Sequence, residues 1–325
     1  MNLYPLIKAL SDGKFHSGTE LGELLGVSRT AIWKQVQQLS SWGLNYSTEK
    51  NAGYALQQPL SLLDLQQINQ LLKRHASQLQ AEVVPQVDST NTELSRRIAS
   101  GQLVHGTLLL AEMQTGGRGR RGRNWQSPLG SSISLSICWQ FDAGANALQG
   151  LSLAIGVAVR RVLANYGLAN IGLKWPNDIY AQNAKLGGIL IEVFGDFAGP
   201  CQLVIGLGLN YQRTDLMNEL DQPVTSLSDL NAQLPSRSQL CSDLAFAIEQ
   251  VVTVFSESGF KPFKAEWNAA HIWQGQKAVI IAVNDETPVR LGGVNDLGEL
   301  EVTDTDGSRR FINAGEVSVR VKRDS

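Results

Sequence analysis

The sequence predicts a multidomain α+β protein, on three observations. Residues 1–60 carry short helical patterns around a tight turn and then an alternating hairpin. Residues 61–273 interleave strand-like and helix-like runs, and residues 274–325 hold short strand-like segments between turns. These give an N-terminal winged helix-turn-helix, a central mixed α/β domain and a small SH3-like C-terminal β-barrel. A length of 325 residues suits two or three domains, and 43% hydrophobic with 18% charged residues is ordinary globular composition. The formal net charge of -2 excludes a surface coated in positive charge, so any nucleic-acid contact must be a local patch. Cys138, Cys201 and Cys241 lie far apart, and the four histidines are equally scattered, which argues against a zinc site or a disulfide framework. With no basic segment leading into an apolar run at the N-terminus, and no apolar stretch of membrane-spanning length, the expectation is a cytoplasmic protein without a membrane.

In order along the chain, Leu3, Leu6, Ile7 and Leu10 share one helical face, and Asp12-Gly13 ends that helix. Residues 20–25 form a second helix, Gly26-Val27-Ser28 turns the chain, and Ser28 caps a third helix that points Ala31, Ile32, Val36 and Leu39 inward. Its outward side chains, Ser28, Arg29, Thr30, Trp33, Lys34 and Gln37, are of the kinds that meet phosphates or base edges in a major groove. Leu44, Tyr46 and Thr48 alternate into a polar tip and return at Tyr54 and Leu56, a β-hairpin wing. Five Lys/Arg against four Asp/Glu over residues 1–60 leave only +1, so charge adds nothing to a DNA reading.

Residues 57–61 read as a linker and 62–72 as an amphipathic helix. A strand at 83–87 runs into Asp88-Ser-Thr-Asn91 and a helix bearing Leu94 and Ile98, which puts Ser89, Thr90 and Asn91 at a strand-to-helix junction with free backbone donors. Simple capping is the alternative there. Strands at 106–113 and 132–139 flank the least ordinary stretch of the chain, Thr115 to Trp125, in which four glycines alternate with four arginines. Glycines allow close backbone approach, and clustered arginines repel one another unless anions lie between them, so the stretch reads as an anion-binding loop. A solvated basic loop is the plainer alternative.

Further on come a buried helix at 151–166 and strands at 171–174, 185–193 and 203–209. A polar segment at 211–235 is expected to be a loop, and helices follow at 240–255 and 260–270. Five short strands at 278–283, 288–294, 299–303, 311–313 and 317–321 make the expected barrel.

Asp88-Ser-Thr-Asn91, Gln114 with the Gly/Arg loop, Lys174-Trp-Pro-Asn-Asp178, Lys185-Leu-Gly-Gly188 and Gly206-Leu-Gly-Leu-Asn210 together resemble the biotin protein ligases, the biotin-[acetyl-CoA-carboxylase] ligase family. With a winged helix in front of them, the whole chain is similar to the bifunctional bacterial members that are also biotin operon repressors. The resemblance implies a central domain of the class II biotin/lipoate ligase type. It implies biotin and MgATP as substrates, biotinoyl-AMP as intermediate and corepressor, and the biotin carboxyl carrier protein and operator DNA as partners. A ligand-induced homodimer is a further implication.

On the same resemblance, Ser89, Thr90, Asn91, Gln114, Arg118, Gly119, Arg120 and Lys185 would bind biotin. Arg121, Arg123, Trp125, Asn177, Asn210, Glu316 and Arg320 would serve the nucleotide, and Lys185, Arg120, Lys174 and Asp178 the chemistry. Asp178 would help place a metal or orient the acceptor lysine; no metal ligands are identified. Trp125 either shelters adenine or is a core tryptophan. Trp175-Pro176 fixes a turn, and Gly187 stands where many such ligases carry alanine. Three rival readings stay open: a biotin-sensing repressor without ligase activity, a lipoate-type ligase, and a DNA-binding regulator with another effector.

Overall fold

The computed structural model describes residues 2–102, 105–195, 199–230, 233–281, 286–314 and 318–321. Its N-terminal part is built from α1 (Tyr4–Leu10), α2 (Gly18–Leu25), α3 (Arg29–Val36) and the hairpin β1 (Tyr46–Glu49) and β2 (Gly53–Leu56). Each short helix is held by local chemistry. Ser17 and Glu20 form a reciprocal capping box on α2, Gly26 ends it at φ 66°, and the Ser28 hydroxyl caps α3 by accepting from Ala31 N at 3.2 Å. The wing is pinned to the chain before α2 by two backbone bonds of 2.9 Å between His16 and Tyr54. Gly53 is required at that crossing, because a Cβ there would lie 2.0 Å from the His16 carbonyl oxygen.

The centre follows as α4 (Leu65–Arg74), β3 (Gln80–Val87), α5 (Thr90–Ala99), β4 (Thr107–Arg118), β5 (Asn124–Ser127), β6 (Ser132–Phe141) and α6 (Leu151–Asn165). It continues with β7 (Ile171–Lys174), β8 (Asp178–Ala181), β9 (Ala184–Gly195), β10 (Cys201–Asn210), α7 (Leu227–Leu230), α8 (Arg237–Ser258) and α9 (Lys264–Ala270). The main sheet runs β3-β4-β6-β10-β9-β8-β7, with β5 paired to β4. Only β3 and β4 are parallel, as their crossover through α5 requires. The helix expected at 62–72 starts at Leu65, where the Asp64 carboxylate accepts from Gln66 N and Gln67 N. Residues 145–165 are long and apolar enough to cross a membrane, which the sequence reading overlooked. In the fold, Leu151, Ile155, Val159 and Leu163 of this segment are buried in the main core instead.

Strand β6 explains the two faces of the sheet. Ile133, Leu135 and Ile137 enter the main core, while Ser132, Ser134 and Ser136 point the other way and are also buried. The alternation that reads as a half-solvated strand therefore lays a polar floor beneath the N-terminus of α5.

β11 (Lys277–Ile281), β12 (Glu286–Val294), β13 (Leu300–Asp304), β14 (Arg309–Ile312) and β15 (Ser318–Val321) form an antiparallel sheet in the order β14-β13-β12-β11-β15. It is open: among the described residues β14 does not pair with β15, so the expected closed barrel is not formed. Its apolar residues, Ile280, Val289, Leu291 and Val302 among them, are continuous with the main core.

The N-terminal part is fastened to the centre by apolar and ionic contacts. Leu129 joins the cluster of Leu6, Ile7, Leu10 and Ile32. Beside it, Glu112 and Arg237 form a fully buried ion pair. The Glu112 carboxylate also accepts from Tyr4 OH (3.1 Å) and Leu63 N (2.6 Å), while Arg237 donates to Ser61 O (3.0 Å) and Ser132 O (2.7 Å). Such a pair is tolerable out of water because its remaining hydrogen-bonding capacity is largely met.

Candidate active site

A cleft of about 1070 Å³ is lined by the carboxyl-terminal parts of β4 and β10, the amino-terminal half of β9 and the β7–β8 turn. One end is hydroxyl and amide. Ser89 caps α5, its side chain accepting from Thr92 N. Thr90 donates to Gln114 Oε1 from its backbone N (2.8 Å) and its hydroxyl (3.2 Å), and Gln114 Nε2 donates to Ser134 Oγ at 3.3 Å. Ser136 Oγ donates to Asn91 Oδ1 at 2.6 Å, and Asn91 Nδ2 donates to Leu190 O (3.3 Å) and Glu192 (2.9 Å). Each amide is thereby locked in one orientation, a fixed array for a small polar ring.

Two glycines of β10 make this arrangement possible. A Cβ on Gly206 would lie 2.1 Å from Asn91 Oδ1, and one on Gly208 would lie 2.6 Å from the Trp125 ring. Spaced two apart on a strand, they give the amide and the indole bare backbone to lie on. Trp125 is half-buried and lines the cleft, and among the described residues its indole N–H has no hydrogen-bond partner. The indole is thus a cleft wall rather than part of an apolar core cluster. Asn210 is also on the wall, donating to Thr225 O at 2.9 Å.

The other end is cationic. Arg118, Arg120, Arg121, Arg123, Lys174 and Lys185 line it, against the carboxylates of Asp178 and Asp221. The Gly/Arg stretch is not a simple loop. β4 extends through Arg118, and β5 returns with Gly117 opposite Trp125 and Arg118 opposite Asn124. The tip is a 3₁₀ turn in which Arg121 takes φ 57°. Arg118 pairs with Glu192 at 2.9 Å, while Arg120 donates to Ala314 O (2.5 Å) and reaches Asn177 Oδ1 (3.4 Å). Asn177 itself donates to Ile189 O at 2.8 Å.

Asp178 lies between two lysines, 2.7 Å from Lys185 Nζ and 3.4 Å from Lys174 Nζ. Burial holds the Lys174 ammonium below the usual lysine range, against the pull of Asp178, and burial beside Arg121 lowers Arg120. Among the described residues no group of three His, Cys, Asp or Glu side chains could hold a metal ion, and Asp178 is already occupied with the two lysines. The residues do not fit a resident metal.

The cleft thus gathers most of the singled-out residues, from Ser89 to Asn210. Gly187 is buried beside it, and a Cβ there would lie 2.6 Å from Gly208 O, so the backbone has closed around glycine where alanine looked interchangeable. Glu316 falls outside the described residues, as does the side chain of Arg320. Sequence reasoning missed Glu192, which ties Asn91 to Arg118, and Trp273, which enters from beyond α9. It also missed the wall from Thr214 to Val224, held along β9 by Lys185 N donating to Pro223 O (2.9 Å) and Thr225 N to Lys185 O (3.0 Å). No periodicity marks that segment. On α3, Arg29, Thr30, Trp33, Lys34 and Gln37 are exposed, as is Ser28 at its cap.

Residues 83–210 match the Biotin/lipoate A/B protein ligase family, and residues 3–55 match an HTH domain. The chain is 36% identical to the bifunctional ligase/repressor BirA of Escherichia coli (strain K12), over 97% of this chain and 96% of that protein. It is 34% identical to the biotin--[acetyl-CoA-carboxylase] ligase of Mycobacterium tuberculosis, over 77% of this chain and 92% of that one. Among solved structures, the biotin protein ligase from Aquifex aeolicus in complex with biotin and ATP superposes with a TM-score of 0.65 at 26% identity. That match covers 74% of this chain and 99% of that one.

Proposed function

Because the chain belongs to the bifunctional ligase/repressor branch of the biotin/lipoate A/B protein ligase family, we propose how its own residues serve that activity. It is an ATP-dependent biotin protein ligase and a DNA-binding repressor of biotin synthesis genes. In the first step the biotin carboxylate attacks the α-phosphorus of ATP, pyrophosphate leaves, and biotinoyl-AMP forms. In the second, a lysine amine of the biotin carboxyl carrier protein attacks the acyl carbon and AMP leaves. Mg²⁺ arrives with the nucleotide as MgATP.

The observation that carries this assignment is the polarity of the cleft, a locked hydroxyl/amide array at one end and six cations at the other. Its volume lies just above the roughly 300–1,000 Å³ typical of ligand pockets, as suits a nucleotide joined to a second ring system. Ser89, Thr90, Asn91 and Gln114 read the ureido ring; Arg118 and Gly119 close over it. Lys185, with Arg120 and Lys174, neutralises charge that gathers on the phosphate as the carboxylate attacks. Asp178 holds Lys185 until substrate arrives, with Lys174 only at the edge of its reach, then accepts a hydrogen bond from the incoming lysine. Trp125, Arg121, Arg123, Asn177 and Asn210 hold the nucleotide, with Glu316 and Arg320 of residues 274–325, a unit we take as SH3-like with its described sheet left open at one side. The hairpin tip excludes water from the mixed anhydride.

The boundaries that follow are 1–60 for DNA reading, 61–273 for catalysis and 274–325 for the C-terminal unit. In the first, Arg29, Thr30, Trp33, Lys34 and Gln37 face the major groove, and Ser28 presents the capped helix N-terminus to a phosphate. Biotinoyl-AMP is the corepressor and promotes a homodimer. The dimer does not use β6, which is interior between β4 and β10; the terminal strands are β3 and β7, and among the described strands β9 beyond Gly188 pairs only with β10, which leaves its other side for a partner. The test is pyrophosphate release by the purified chain with MgATP and biotin, lipoate or no acid, followed by label transfer to a carrier-domain lysine. Release with biotin alone is expected; release with lipoate and not biotin overturns the assignment.

A further inference from the structure

Lys174 is unusually placed for a phosphate-facing cation. Its side chain is only 14% exposed, and both of its described hydrogen bonds, to Asp178 Oδ2 and Tyr180 OH, are long at 3.4 Å. Among the described residues the one carboxylate within reach, that of Asp178, is closer to Lys185, at 2.7 Å. Trp273 and Tyr180 supply what Asp178 cannot. The Lys174 ammonium lies 4.4 Å from the centre of the Trp273 ring, inside the range where an aromatic face attracts a cation, and meets Tyr180 at its hydroxyl edge, 3.4 Å from the oxygen and 5.2 Å from the ring centre. The two rings are 6.3 Å apart and inclined at 59°, forming a bracket.

Trp273 does not belong to the main sheet. It follows α9, and its backbone is brought beside β7 by Ile272 N donating to Leu173 O at 3.1 Å. We propose that Trp273 is a positioning residue for the nucleotide subsite, holding Lys174 with Tyr180 so that Asp178 stays with Lys185 and Lys174 stays poised for phosphate. A ring face is suited to this task. It stabilises the charge without fixing its N–H bonds in a salt-bridge geometry, so the ammonium turns to a phosphate oxygen without leaving the ring. A carboxylate in the same place would compete with the phosphate and repel it.

This inference rests on the ligase reading, and the experiment separates the two. Biotin-dependent pyrophosphate release is measured against MgATP and against biotin for the full chain and for Trp273→Leu, Trp273→Phe, Lys174→Met and the Trp273→Leu/Lys174→Met double variant. Thermal melting checks each fold. Trp273→Leu should raise KM for MgATP about tenfold, a desolvated cation–π contact of 0.5 to 2 kcal/mol corresponding to roughly two- to thirtyfold. KM for biotin should stay within about twofold, and Trp273→Phe should recover most of the loss. On the Lys174→Met background the leucine substitution should add almost nothing, since the cation it serves is gone. If Trp273→Leu proves unfolded, Trp273→Met carries the same comparison. An unchanged KM for MgATP in Trp273→Leu, or the same loss with and without Lys174, overturns the positioning role. Absence of biotin-dependent release in the unsubstituted chain overturns the ligase reading, and this inference with it.

Discussion

Lys185 and Asp178 are the residues on which the proposed chemistry turns. Their 2.7 Å contact is made across the β8–β9 pair, where both backbones are paired in the sheet, so the ammonium is held in place before any anion arrives. Losing a charge-assisted hydrogen bond costs about 1.5 to 3 kcal/mol, and Lys185→Ala also leaves Asp178 with less neutralisation beside the phosphate. Adenylation in a single turnover should therefore fall by at least ten- to a hundredfold. Lys185→Arg should restore only part of it, because a planar fork does not replace a point charge in this space. A wild-type adenylation rate in Lys185→Ala would remove the lysine from the chemistry.

At the scale of elements, the paired arm of β4 and β5 matters most. It is fastened at two points, Arg118 to Glu192 and Arg120 to the carbonyl of Ala314 beyond β14. The second contact joins the arm to the C-terminal sheet, so the two close the cleft together. Arg120→Gly removes that fastening and adds backbone freedom at the tip, which favours the open arm. The expected outcome is a several-fold rise in free biotinoyl-AMP, measured by chromatography during turnover without acceptor. Weaker ligand binding with no rise in released adenylate would show that the arm binds without enclosing.

For the molecule as a whole, the question is how ligand in the cleft reaches DNA. The N-terminal part carries a net charge of only +1, so a single copy should bind DNA weakly, and two copies on a symmetric site far better. Tyr4, Glu112 and Arg237 fasten it to the sheet, so joining two sheets also fixes the spacing of two α3 helices. In the proposed mechanism a bound ligand adds to the fastening of the arm and so lowers the entropy cost of docking it, and by reciprocity the proposed dimer binds adenylate more tightly by the same factor. Sedimentation should show self-association strengthened by biotinoyl-AMP, and operator binding should rise with it and be lost in an Arg29→Ala/Lys34→Ala variant. Substitution on α3 is preferable to deleting residues 1–60, which would strip Tyr4 from a buried carboxylate. Equal self-association with and without adenylate would overturn the mechanism.

The sequence by itself determined what depends on neighbours along the chain. Capping at Ser28, the wing with its glycine, the strand-to-helix turn at Ser89 and the alternation of β6 are short-range effects, and each is legible from residue type and spacing. The Gly/Arg stretch reads as an anion-binding segment from its residue types, whereas Lys185-Leu-Gly-Gly188 took its meaning from the family resemblance. What only the tertiary structure decided depends on contacts between distant residues. The serine face of β6 became a buried floor because α5 covers it, and the stretch expected as a loop became a paired arm because β5 returns along β4. Gly206 and Gly208 are needed because an amide and an indole from elsewhere lie on them. Glu192, Trp273 and the wall from Thr214 to Val224 carry no local signal at all, since each acquires its place from a partner many residues away. Local conformation is set by the free energy of a few adjacent residues, whereas the cleft exists only once distant surfaces have been brought together and removed from water.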